Sequence, residues 1–291
     1  MLHNAARSFT MKQVGVFYHP VFKTQGYLTL RGRLQDFPGV LEEVLQKPNV
    51  RLLECPRASR EMILKVHPRE MLAMADLEDQ CRSAYESVGG VAAAMEALAR
   101  GELDRAFCFT GAGGHHAGLR EFWDSSCFND VVIAITHVRE VTPARRFAII
   151  DTDAEHAGGT LQLLNNDPEV LHICFCRSNY CSADGLAVEV NVWPIPGSKG
   201  PQPYLEKLKS RLSLVREFRP DQLVWYFGFN THVDEPASLG LTEADYVESC
   251  GLLVSLADEM GLPLLVVLGG GVLHRVAAAV IPGIIGRLAE D

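Results

Sequence analysis

The stretch FAIIDTDAEHAGGT, residues 147–160, decides how this chain is read. An apolar run enters three acids spaced two apart, Asp151, Asp153 and Glu155, followed by His156 and glycines. Residues two apart share one face of an extended strand. All three carboxylates would therefore project the same way if the strand continued. Burying carboxylates together is costly without a cation or hydrogen-bond donors. The pattern marks a candidate site at the end of a buried strand.

Working outward, other short apolar runs lie at 13–19, 51–55, 105–110, 170–176, 186–192, 222–229 and 262–270, with the central one at 146–151. Amphipathic stretches at 37–47, 69–99, 129–139, 159–166, 203–217, 242–260 and 273–289 read as helices. Near-continuous apolar strands separated by helices indicate a parallel sheet covered on both faces. The expected fold class is α/β, a three-layer α/β/α arrangement with a mainly parallel sheet of about eight strands. The Pro- and Gly-rich segment 192–204 is the main predicted loop. No low-complexity linker divides the chain, and residues 1–291 are read as one domain.

With 291 residues, 47% of them hydrophobic, the chain can bury a large core. A net charge of −9 argues against a nucleic-acid surface, which needs clustered Lys and Arg. No run of 18 apolar residues appears, so no membrane span is expected. The N-terminus lacks the apolar core of a signal peptide, and a cytoplasmic location is the expectation. On that basis the eight cysteines are read as reduced thiols, several of them small hydrophobes within apolar runs.

In open parallel sheets, ligands bind beyond the carboxyl ends of the strands. Four polar motifs fall there: TGAGGHHAG (110–118), DTDAEHAGGT (151–160), GFNTHVDEP (228–236) and LGGGVLH (268–274). Convergent Asp, Glu and His side chains suit a divalent metal, and histidine also moves protons. A single His-His pair is weak evidence and more often reads as a capped turn. Several polar motifs, each directly after a buried strand, make the stronger argument for a site.

At these residues the chain resembles the histone deacetylase family, including bacterial acetylpolyamine and acetoin-utilisation relatives. FYHP, KVHPREML, GGVAAAMEALARGELDRAFCFTGAGGHHAG, CFNDVVIAI, FAIIDTDAEHAGGT, GFNTHVDEPASLGLT and LGGG follow the family's motifs in order and spacing. The resemblance implies the arginase-like α/β/α fold. It also implies a zinc ion held by Asp, His and Asp that polarises an acetamide and activates water. Carried over, it places His115 and His116 as the paired catalytic histidines. Asp151 becomes the acid orienting His115, and Asp153 the first metal ligand.

Other positions depart from the pattern. Glu155 stands at the histidine ligand, Asn230 at the second aspartate ligand and Gly158 at the acid or amide supporting the second histidine. Val272 stands at the catalytic tyrosine, and Ser125 replaces an aromatic of the channel wall. The set Asp153, Glu155 and Asn230 is all oxygen, better suited to magnesium, manganese or calcium than to zinc. Loss of the oxyanion donor at Val272 would cost about two to three orders of magnitude in rate. Two functions follow as expectations. One is a metal-dependent amidohydrolase acting on an acetylated amine or related small amide. The other is a degraded pseudo-deacetylase that binds a ligand or serves a structural role.

His156 and His232 are secondary metal candidates, each with a structural reading beside it. His274 reads as a solvent-facing helix start, and His19 and His67 as structural. Cys174, Cys176 and Cys181 resemble a partial zinc site to which His172, on the same strand face, would add a fourth ligand; core packing is the competing reading. The resemblance further implies a potassium ion near Asp151, Asp153 and the ICFC strand. It also implies a homodimer and a prokaryotic source.

Overall fold

The computed structural model describes residues 11–111, 113–121, 126–193 and 204–290. Ser125 and most of the predicted 192–204 loop lie outside these residues. The strands are β1 (Val14–Tyr18), β2 (Val50–Glu54), β3 (Arg105–Cys108), β4 (Phe147–Asp151), β5 (Val170–Cys176), β6 (Tyr180–Cys181), β7 (Ala187–Asn191), β8 (Gln222–Phe227) and β9 (Leu264–Leu268). They form one sheet in the order β2-β1-β3-β9-β8-β4-β5-β7-β6. Every pairing is parallel except β6 with β7.

The sequence pattern explains the layering. β1, β3, β4, β5, β8 and β9 are buried at every residue, as strands covered on both faces must be. The helices are α1 (Glu42–Leu45), α2 (Arg60–Leu64), α3 (Arg69–Leu77), α4 (Ala84–Ala99), α5 (Asp130–Val141), α6 (Gly158–Leu164), α7 (Tyr204–Phe218), α8 (Glu243–Met260) and α9 (His274–Leu288). Local chemistry sets several of their ends. Asn129 caps α5 by accepting from Val132 N–H. Thr242 and Asp245 form a capping box at α8, which ends on left-handed Gly261 (φ 68°). Among the described residues, no helix is long and apolar enough to cross a membrane.

Three expectations need correction. The predicted helix 69–99 is two helices: Glu78 turns extended after α3, and a 3-10 turn at Asp79–Cys81 leads into α4. That turn delivers Cys81 to Cys127, with which it forms a disulfide. Two of the eight cysteines are therefore not thiols, and the other six are free. The pairing spans 46 residues, and both partners sit in a small core cluster under α2, α3 and α5, so no local pattern announces it. Strands β3, β8 and β9 also stop about two residues early, because the chain turns toward the site at Thr110, Gly228 and Gly269.

The four polar motifs follow β3, β4, β8 and β9. These are neighbours at the centre of the sheet, in the order β3-β9-β8-β4. The topology thus gathers segments 113–118, 152–157, 228–236 and 269–274 at one edge.

Candidate functional site

Tyr226, near the end of β8, supports the histidine turn. Its hydroxyl accepts from Gly114 N–H at 2.7 Å, and its ring stacks on His115 with centroids 4.8 Å apart. His115 Nδ1 donates to Asp151 Oδ2 at 2.9 Å, and its Nε2 lies 3.1 Å from His116 Nε2. Burial opposes charge on His115, but the Asp151 and Asp153 carboxylates prevail and raise its pKa to about 9. The charged ring carries protons on both nitrogens, so His115 donates to His116. Asp130, beneath this turn, is raised to about 7, chiefly by burial.

Asp153 is 1% exposed and surrounded by donors. Its Oδ1 accepts from Glu155 N–H at 3.1 Å and Asn230 Nδ2 at 2.8 Å. Its Oδ2 accepts from Gly270 N–H at 2.6 Å. The carboxylate fits because its neighbours lack side chains: a Cβ on Gly228, Gly269 or Gly270 would come within 2.4, 2.8 or 2.7 Å of Oδ2. Burial disfavours the charged carboxylate, but His115, Asn230 and the Glu155 N–H together hold its pKa below the usual range.

Asn230 sits on the 3-10 turn Phe229–Thr231 after β8. Its Oδ1 accepts from Ala154 N–H at 3.1 Å. That backbone donor fixes the amide: oxygen faces Ala154, so the NH2 group faces Asp153. Glu155 is part-exposed, and its Oε1 lies 3.8 Å from Arg177 Nη2. Arg177 in turn lies over the Trp193 ring.

A cavity of about 240 Å³ is lined by His115, His116, Asp153, Glu155, Asn230 and Val272 among others. All the principal site residues except Asp151 therefore reach one space, and Asp151 stands directly behind His115. The secondary candidates do not join them. His156 is exposed and pairs with Glu189 at 3.1 Å. His232 is buried, accepts from Asp234 N–H and stacks on Tyr246. His172 is buried 4.0 Å from Asp151, and burial lowers its pKa to about 4. The set Cys174, Cys176, Cys181 and His172 does not converge: Cys181 is exposed on β6, and His172 faces Asp151. Of the remaining histidines, His67 accepts from Asn129 N–H, His19 caps a 3-10 turn, and exposed His274 starts α9 beside Asp36.

Three residues of the site escaped the sequence reading. Arg33 is fully buried and donates to the carbonyls of Gly269 (2.6 Å), Gly271 (3.1 Å) and Thr110 (2.9 Å). Burial lowers its pKa to about 10, which leaves it charged at neutral pH. Glu235 accepts from Val272 and Leu273 N–H and so fixes the start of α9. The third is Tyr226. A polar group in an otherwise apolar run, as in VWYFGF, was the available signal for it. Arg33 had none, because its partners lie more than 70 residues away.

The histone deacetylase domain model matches residues 76–286. The chain belongs to the histone deacetylase family. Relatives of this deacetylase-family chain include a probable deacetylase of Archaeoglobus fulgidus, 26% identical over 75% of this chain and 68% of that protein. A histone deacetylase-like amidohydrolase of Pseudomonas aeruginosa is 27% identical over 76% and 66% respectively. An acetylpolyamine amidohydrolase of Burkholderia pseudomallei is 28% identical over 67% and 59%. The deacetylase-family chain thus spans about two thirds of these relatives' lengths. The crystal structure of the HDA15 HD domain superposes with a TM-score of 0.84 at 20% identity, covering 96% of this chain and 90% of that one. That match shows the shared fold.

Proposed function

We propose that this member of the histone deacetylase family is a binding protein. Its pocket takes a small acylated amine or related amide without metal-dependent hydrolysis. The observation that carries this reading is the hydrogen bond from Asn230 Nδ2 to Asp153. The family uses a divalent metal, and the ligands implied here are Asp153, Glu155 and Asn230. A cation between them needs oxygen lone pairs directed inward. Asn230 instead directs N–H bonds at Asp153, and Ala154 N–H holds it that way. Both Asp153 oxygens already accept strong donors, and charged His115 supplies the neighbouring positive charge. The donor set does not fit zinc, and it fits manganese or magnesium only if Asn230 turns over and abandons Ala154.

The cavity supports this choice of ligand class. It is small, and part-exposed Glu155 gives it an acidic wall that favours a cationic or neutral amine over an anion. A second reading, a metal-dependent amidohydrolase using a hard ion, is favoured by one feature. The His115–Asp151 and His115–His116 contacts form a complete proton-transfer pair.

Calorimetric binding and acetate release, measured with an N-acetylated diamine and with N-acetyl-lysine amide, separate the two. The binding reading expects saturable binding in EDTA and no acetate release with zinc, manganese or magnesium. Metal-dependent release that Asp153→Asn abolishes would overturn it in favour of the hydrolase.

A further inference from the structure

We propose that His156 Nε2, Cys176 Sγ and a Glu189 carboxylate oxygen form a metal site for one zinc-class divalent ion, outside the deacetylase pocket. Their ligand atoms all lie within 4.8 Å of one another, and they are the one such group among the described residues. His156 Nε2 is 3.1 Å from Glu189 Oε1, and Cys176 Sγ is 3.9 Å from Glu189 Oε2. A tetrahedral ion with bonds of roughly 2.0–2.3 Å to N, O and S requires ligand atoms about 3.3–3.6 Å apart. Side-chain adjustments that close the widest of these separations by up to about 1.5 Å complete the site.

The fold explains why the three meet. Cys176 ends β5, and β7 lies beside it with Glu189 in register with Cys174. Strand alternation puts Cys174, Cys176 and Glu189 on one face. The loop after β4 then brings His156 over that face, beside Ala157, which packs on the two cysteines. The ligand types also discriminate. Imidazole, thiolate and carboxylate suit zinc and its neighbours, whereas the sulfur disfavours magnesium and calcium. His156 is exposed and Glu189 half-buried, so an ion has a way in and a fourth position is open to water. Without an ion, the Cys176 thiol donates weakly to Glu189. Binding would transfer that thiol proton to the buffer as the sulfur–metal bond forms. The ion would tie the 152–157 loop, which carries Asp153 and Glu155, to the edge of the sheet.

Cobalt(II) titration of the metal-free full chain tests the site, because a thiolate ligand gives a near-ultraviolet charge-transfer band that an all-oxygen site cannot. The expected result is a band saturating at one equivalent and displaced by zinc. It should be absent in Cys176→Ser, and it should need at least about 10–100-fold more cobalt in His156→Ala and Glu189→Gln. Cys181→Ser and Asp153→Asn should keep it. Retention in Asp153→Asn makes the result independent of the function proposed for the pocket. Absence of a saturable band, its survival in Cys176→Ser, or its loss in Cys181→Ser would overturn the proposal. Should Cys176→Ser fail to fold, the surface variant His156→Ala decides: unchanged cobalt affinity refutes the site.

Discussion

Replacing Asn230 by aspartate exchanges a donor for an acceptor at the 2.8 Å contact with Asp153. The contact with Ala154 N–H survives, because an aspartate oxygen accepts equally well. Two costs follow. A hydrogen bond to a charged group is lost, worth about 1.5–3 kcal/mol. Two carboxylates also face each other about 4 Å apart, a repulsion of about 4 kcal/mol at an effective dielectric of 20. Protonating one carboxylate limits the sum. From an ordinary value near 3.9, holding a proton at pH 7 costs about 4 kcal/mol, and at pH 5 only about 1.5 kcal/mol. The expected loss is therefore about 3–4 kcal/mol at pH 7, shrinking by more than half at pH 5. The variant also has what the natural residue lacks, a pair of inward lone-pair donors. Millimolar manganese should return much of the lost stability to Asn230→Asp and leave the unmodified chain unaffected. Urea unfolding in EDTA and in manganese at the two pH values measures this. A Cys176→Ser background keeps soft ions off the sheet edge. A deficit below about 1 kcal/mol at pH 7 that does not change at pH 5 would refute the claim that the Asn230 amide satisfies Asp153.

Two further expectations concern the same centre. His115 has its folded pKa raised to about 9, so its stabilising contribution is complete below the unfolded value near 6.5 and is lost as pH rises through 9. The stability difference between the natural chain and His115→Gln should fall by up to about 3 kcal/mol between pH 6 and 10, and a difference that stays flat across that range counts against a charged His115. Arg33→Met strips the donor from three buried carbonyls at 110, 269 and 271. It should cost about 3–5 kcal/mol in urea unfolding, at about 1–3 kcal/mol per orphaned group with partial relaxation, and a loss below 1 kcal/mol would mean those carbonyls find other donors.

Apolar runs and turn punctuation made the central sheet legible. All eight predicted runs became strands, and the polar motifs lie on adjacent strand ends as parallel topology requires. The unread elements carry weak local signals. β6 has two residues, and α2 has five. The break at Glu78 and the Cys81–Cys127 bond depend on contacts between distant segments. At the site, residue identity was readable but side-chain direction was not. An asparagine at 230 offers both a donor and an acceptor, and only the position of Ala154 N–H decides which faces Asp153. His156 follows the three acids in sequence, yet it turns outward to Glu189 because the loop after β4 crosses the β5–β7 face.

The same distinction resolves what holds three acids together after β4. One shared cation would couple them, so that losing it would destabilise all three. Each instead has its own compensation. Asp151 faces the charged ring of His115, Asp153 takes donors from Glu155 N–H, Asn230 and Gly270, and Glu155 reaches toward solvent and Arg177. Only Asp151 and Asp153 are deeply buried, and charged His115 lies between them, 2.9 Å from one carboxylate and 3.8 Å from the other. Glu155 is thereby free of the electrostatic duty that a metal ligand would carry. Truncating Glu155 to alanine should accordingly change stability by less than about 1 kcal/mol, as for other exposed ion pairs. A loss comparable to that of Asn230→Asp would mean the acids act as one ligand set after all.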